Sequence, residues 1–286
     1  MLCFCLGFVA VQAVQASSAD SSPVINVAPV LLQTGEFDEQ GLSRLKLFCS
    51  VDLPAQWHVA WTEPVRLTMT DSEGGKSPSV MWIFLDKDAM GSGRGTFFKK
   101  GLHIHGADGW LPGDTAKWIR VKGSIPFIVA ARDAVLEPLK LKLAPGAVIP
   151  VVLKGAGVAD GSAGERDVAV SVKVESCEAS GARENEVALH VSLLCNSRVD
   201  LRKLEFRTEG GRVLETHDSY WSNSVSDSKY CYAFWCKMPR VQDDAIHIVV
   251  HYAAGLRRVM VPVDIRTGLF GFTVSPAMKQ DEANQQ

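Results

Sequence analysis

Beyond its first 16 residues, the 286-residue chain has no apolar run approaching the roughly 20 residues that a bilayer-crossing helix needs. It has no excess of either charge, since 30 Lys and Arg stand against 32 Asp and Glu. That balance excludes the broad basic field with which proteins hold nucleic acid or anionic lipid. Catalytic signatures are missing as well: there is no Gly-x-Ser-x-Gly elbow, no His-Glu-x-x-His and no paired-carboxylate motif. The sequence therefore assigns no catalytic residue and no cofactor. Apolar-periodic windows of helical length are also lacking, which points away from helical folds.

What is present begins with residues 1–16, MLCFCLGFVAVQAVQA, an apolar stretch too short to span a membrane and followed by the polar segment 17–23. Val14-Gln15-Ala16 offers small residues where a signal peptidase reads, although no Lys or Arg precedes the apolar core. The expectation is a signal peptide, an exported chain in the periplasm or outside the cell, and no membrane span once the signal is removed. Removing the leader also removes Cys3 and Cys5 and leaves five cysteines, an odd number that cannot all pair within one chain. Cys195, which continues the inward series ending at Leu193, is the candidate to meet Cys231 or Cys236 across a sandwich, and buried free thiols are the default expectation.

The dominant pattern is alternation with period two. Val168, Val170, Val172 and Val174 form one such series, and Val187, Leu189, Val191 and Leu193 a second. Leu139, Leu141 and Leu143 form a third, and Ile246, Ile248, Val250 and Tyr252 a fourth. Turn material such as Glu73-Gly-Gly75, Ala144-Pro-Gly146, Glu209-Gly-Gly211 and Ala253-Ala-Gly255 separates the strands. Many short strands punctuated by Gly and Pro predict an all-β fold.

The order of these features repeats. A strand running into a Gly-Gly turn (Leu67–Lys76, then Leu204–Arg212) is followed by an alternating strand, a Gly turn and a strand ending in Pro-Val, at Pro150-Val151 and at Pro262-Val263. Gly74 and Gly210 are 136 residues apart and Pro150 and Pro262 are 112 apart, so the first copy carries about 24 extra residues. The expectation is two tandem immunoglobulin-like β-sandwich domains. Domain 1 covers 24–154 with an insertion at about 86–116, a Gly/Ala/Ser linker covers 155–164, domain 2 covers 165–272, and a polar tail expected to be disordered covers 273–286. Two such sandwiches behind an export signal resemble the layout of many bacterial envelope proteins.

Candidate ligand groups cluster in loops. Trp110 with Asp108, in the insertion, and Trp221 with Asn223, in an apparent second loop, combine an aromatic face with a polar neighbour, which suits a sugar ring or a protein hot spot. His103 and His105 are two residues apart, so on a strand they share a face, and Asp108 could complete a three-ligand metal set. A plain strand with Ile104 turned inward explains the same His-Ile-His equally well. The functional expectation is a non-catalytic binding or structural module whose partner is a protein in the cell envelope. A carbohydrate-binding module using the loop tryptophans and a metal-dependent activity in the insertion are the alternatives.

Overall fold

The computed structural model describes residues 23–37, 43–63, 65, 67–77, 83–86, 101–105, 110–159, 165–180, 185–226, 229–242 and 244–269. The apolar leader, most of the expected insertion, residues 160–164 of the expected linker and the tail from 270 lie outside them. In chain order the strands are β1 (Asn26–Phe37), β2 (Ser43–Asp52), β3 (His58–Thr62), β4 (Thr68–Asp71), β5 (Ile83–Asp86), β6 (Gly101–His105), β7 (Trp118–Val135) and β8 (Leu139–Lys142). Then follow β9 (Val148–Val158), β10 (Glu165–Ala179), β11 (Glu186–Cys195), β12 (Leu201–Arg207), β13 (Val213–Leu214), β14 (His217–Ser226), β15 (Lys229–Pro239) and β16 (Ala245–Gly268). The protein is all-β, and no helix among the described residues is long and apolar enough to cross a membrane.

Among the described residues three antiparallel sheets form, and none of them closes on itself. Four strands run β1-β2-β6-β5, five run β14-β15-β11-β10-β9, and seven are built on β13-β12-β16-β7-β3 with β4 and β8 alongside. Three of the alternating series are buried as their pattern predicts, although Val249, on the opposite face of β16, is buried as well. Val168, Val170, Val172 and Val174 of β10 are buried, as are Val187, Leu189, Val191 and Leu193 of β11 and Ile246, Ile248, Val250 and Tyr252 of β16. Pro150 sits in β9 at a sheet edge, where a missing N–H costs no ladder bond.

Two cores result, and each takes strands from both of the expected domains. The first gathers Leu45 and Leu47 of β2, Leu102 and Ile104 of β6, and Ile119 to Val129 of β7, and is completed by Val261, Val263 and Ile265 of β16. The second gathers the inward residues of β10, β11 and β15 with Leu141 of β8 and Val151 and Leu153 of β9. The pair β7 and β16 runs through both, from His251 opposite Val135 to Gly268 opposite Trp118. Between the cores lies a small cluster of Ala60, Trp61, Ile128, Ala130, Ala253 and Leu256.

Two expected connections prove to be strand. Ala253-Ala-Gly255 lies inside β16, because β7 stays paired on either side of it (Ala254 with Arg132, Leu256 with Ala130). Gly255 bends the strand there with φ +69°, a conformation that an L side chain adopts only under strain. Likewise residues 155–158 continue β9 and pair with Glu165 and Arg166 of β10, past a bulge between Arg166 and Val168. The repeated Gly-Gly turn holds in detail. The N–H of Gly74 donates to the Asp71 carbonyl and that of Asp71 to Gly75, while Gly211 donates to Thr208 and Thr208 to Arg212. Gly74 and Gly211 both have positive φ, so the structural repeat aligns these two and lies one residue off the sequence alignment.

Candidate binding groove and edge strand

Of the residues singled out from the sequence, the structure brings Trp221 and Asn223 together, at a groove. They stand in β14, not in a loop: β14 pairs with β15 from Tyr220 opposite Trp235 to Ser226 opposite Lys229. The Ser/Asn-rich composition hides a strand that is held on one side only. Trp221 remains 40% exposed, its ring tilted against Phe234 at 4.7 Å. Trp110 is half-buried and packs against the first core. Asp108 lies outside the described residues. His103 and His105 are opposite Phe48 and Lys46 of β2, with Ile104 between them fully buried, and the side chains of both histidines lie outside what is described. No three His, Cys, Asp or Glu side chains converge among the described residues.

Cys195 and Cys231 sit on neighbouring strands of one sheet and not on facing sheets. Cys195 is opposite Tyr230 and Cys231 is opposite Leu194, so alternation turns the two sulfurs to opposite faces. Both are free thiols, as are Cys49, Cys177 and Cys236. Burial pushes Cys49, Cys195 and Cys236 up to about 12, which keeps them protonated and poor nucleophiles.

The groove encloses about 510 Å³ beneath the inner side of β14. Its far wall is Trp61 at the end of β3, with the Arg198 guanidinium 5.1 Å above the ring centre. Arg198 belongs to the 196–200 connection between β11 and β12, which Tyr232 of β15 fixes in place. The Tyr232 hydroxyl donates to the Val199 carbonyl at 2.8 Å and accepts from the Val199 N–H at 2.9 Å. Buried Asp200 holds Arg202 at 3.1 Å, and Asp133 approaches the same guanidinium at 3.5 Å. Arg198, in contrast, has no carboxylate partner among the described residues.

A second hollow of about 700 Å³ shares Trp61 and Arg198 and extends the groove past Val225 to Arg166 and Arg258. Glu63 pairs with Arg258 at 2.6 Å, and Arg166 hydrogen-bonds Ser197. Together these make a concave, arginine-rich surface with aromatic walls and no nucleophile–base pair.

On the outer face of the same strands, Tyr220, Trp235 and His190 form a continuous stack. Their ring centres are 4.5 Å and 4.3 Å apart, with interplanar angles of 6° and 18°. Burial lowers the His190 pKa, Glu175 opposes that shift and Lys173 adds to it.

β14 itself is the edge of its sheet, and no strand among the described residues pairs with its outer side. From Ser219 to Ser226 it contains no charged residue and no proline, the usual protections of a free edge. No local pattern links Trp61, Arg198, Asp200 and Arg202 to Trp221, since residues 61, 198–202 and 221 lie on three separate segments. No protein-family model matches the chain, and no curated protein matches it either.

Proposed function

We propose that the protein is an exported, non-catalytic binding module of the cell envelope that engages another polypeptide by strand addition along β14. One observation carries this reading: an exposed edge strand, uncharged from Ser219 to Ser226, whose Tyr220, Trp221 and Val225 are 56%, 40% and 64% exposed. Such an edge is a ready template for main-chain pairing, and alternate side chains of an added strand would reach the groove below. The apolar leader at 1–16 supports the placement outside the cytoplasm. Two cores walled by antiparallel strands support a tandem of immunoglobulin-like units, each completed by strands from the other half of the chain.

The hairpin geometry gives a test. Ser226 and Lys229 flank a two-residue connection and so form a hydrogen-bonded pair. Alternation then turns the N–H and C=O of Trp221, Asn223 and Val225 to the open edge. A photocrosslinking amino acid at Val225, activated in the host's envelope fraction, is expected to yield a discrete polypeptide adduct. Asn223→Pro removes one outward N–H and spares the pairing with β15, and it should abolish that adduct. An adduct that survives this substitution, or no adduct at all, would count against strand addition.

A glycan reading is favoured by a separate observation, the presence of Trp221, Asn223, Asp200 and Arg198 around one concave groove. Binding on a glycan array that disappears with Trp221→Ala and with Asn223→Ala, the second of which keeps the outward N–H that strand addition needs, would select it.

A further inference from the structure

We propose that the strand added to β14 is β14 of a second copy of this chain, related by a two-fold axis through Asn223. This rests on the strand-addition reading and names its partner.

A two-fold axis that extends a sheet must stand perpendicular to it, so each face continues into the same face of the second copy. Residues that point the same way must then face one another. With the axis at Asn223, Trp221 meets Val225 of the second copy, Val225 meets its Trp221, and the two Asn223 residues meet each other. These three positions are the ones whose main-chain groups point outward, so every one of those pairs is hydrogen-bonded.

The side chains select this register. Trp221 and Val225 are equidistant from Asn223, on one face, and both are exposed, so self-pairing joins an aromatic to a β-branched residue twice. Moving the axis to Ser222 would set Trp221 against Asn223 and Val225 against Ser219, apolar against polar in every case. On the other face, Ser222 meets Ser224, and Tyr220 meets Ser226, small residues that leave room for the Tyr220–Trp235 stack.

Charge agrees with the pairing. The eight residues Ser219–Ser226 bring no like charges together. The pairing also completes the groove. Val225 of the second copy closes the open side beside Trp221, and the two arginine-rich hollows lie side by side on the same face of one continuous sheet of ten strands, five from each copy.

The test uses full-length variants that each carry one added cysteine, Ser222→Cys or Ser224→Cys, in a Cys231→Ser background, because Cys231 stands opposite Ser224 on β15 and the remaining native thiols are common to both variants. In this register Ser222 of one copy faces Ser224 of the other at about 4.5 Å between Cα atoms, within disulfide reach. Oxidation of the mixture should give a covalent dimer, and either variant alone should give at least about tenfold less, because like positions are offset along the strands. The unsubstituted chain should show the mass of two chains by light scattering. Val225→Lys, at a mostly exposed position, should keep a cooperative melt, lowered only by the loss of the partner copy, and give the mass of one chain.

A one-chain mass for the unsubstituted protein, or cross-linking that does not depend on mixing, overturns the proposal. A monomeric protein that still gives an Asn223-dependent polypeptide adduct in the envelope refutes the second copy and leaves strand addition standing. The loss of both results refutes both.

Discussion

Tyr232 clamps Val199 from both sides: its hydroxyl gives a hydrogen bond to the Val199 carbonyl and takes one from the Val199 N–H. The clamp is buried, and burial pushes the phenol up to about 12, so it remains a donor across the physiological range. Through it, a strand of the second core fixes the connection that holds Arg198 over Trp61.

Tyr232→Phe removes the hydroxyl and leaves a main-chain donor and acceptor without their partner. The cost should be about 1–3 kcal/mol, set by the desolvation of these orphaned groups. Urea denaturation would show it, with a lower midpoint and an unchanged slope. A loss below about 0.5 kcal/mol would mean that water replaces the hydroxyl and that the clamp does not hold the groove wall.

Asp71 gives a second, pH-dependent prediction. Its carboxylate accepts from the N–H groups of Glu73 at 2.9 Å, Gly75 at 2.7 Å and Gly113 at 2.9 Å. Desolvation by burial pushes its pKa up, but these main-chain donors together outweigh it, and the net shift is downward. A depressed carboxylate contributes stability that is complete above its unfolded pKa, about 3.9, and is lost as the pH falls through the lower folded value. Asp71→Asn should cost about 2–3 kcal/mol near neutrality, because it loses charge-assisted bonds. It should also flatten the acid limb of the stability curve below about pH 4. An acid limb as steep as that of the parent would place the linkage elsewhere.

These two clamps mark the limit of what local pattern reveals. The strands of residues 168–174, 187–193 and 246–252 are legible because one face meets a core, and a buried face imposes alternation. β14 is not legible, because an edge strand with both faces exposed is under no such constraint, and its serines and Asn223 look like a loop. Ala253-Ala-Gly255 and Ala144-Pro-Gly146 look alike, yet only the second turns the chain, and what distinguishes them is β7 running alongside β16. Trp221 and Asn223 could be singled out as an aromatic with a polar neighbour. Trp61, Arg198 and Arg202 could not, since three sheet-building segments have to fold before they share a wall.

The stack of Tyr220, Trp235 and His190 should report its own protonation. Burial lowers the His190 pKa, and Glu175, which holds Ser192 at 2.6 Å and Lys173 at 2.6 Å, only partly restores it. The ring should therefore titrate below the ordinary value of about 6.5. Stability tied to the neutral ring is complete above about 6.5 and is lost as the pH falls through the folded pKa. NMR of the imidazole Cε1–H gives that midpoint directly. Tryptophan emission should fall over the same interval in the parent and stay level in His190→Gln. A midpoint at or above about 6.5 would show that the ring is solvated and the stack open.

The shared cores make the final prediction, on whether the two halves fold alone. Produced separately, residues 24–154 would lose Val261, Val263 and Ile265 from the first core, and residues 165–272 would lose Leu141, Val151 and Leu153 from the second. Each buried aliphatic side chain is worth about 1.5–3 kcal/mol, so each core gives up about 5–9 kcal/mol. That is comparable to the whole stability of an ordinary domain, about 5–15 kcal/mol. Each half alone would also expose a long unpaired edge, since β7 and β16 are each other's partner over most of their length. The expected result is that neither half gives a cooperative melt on its own, whereas co-expression recovers a folded complex. Two halves that each melt cooperatively at the temperature of the intact chain would show that β7 and β16 merely touch, and that the cores are separable.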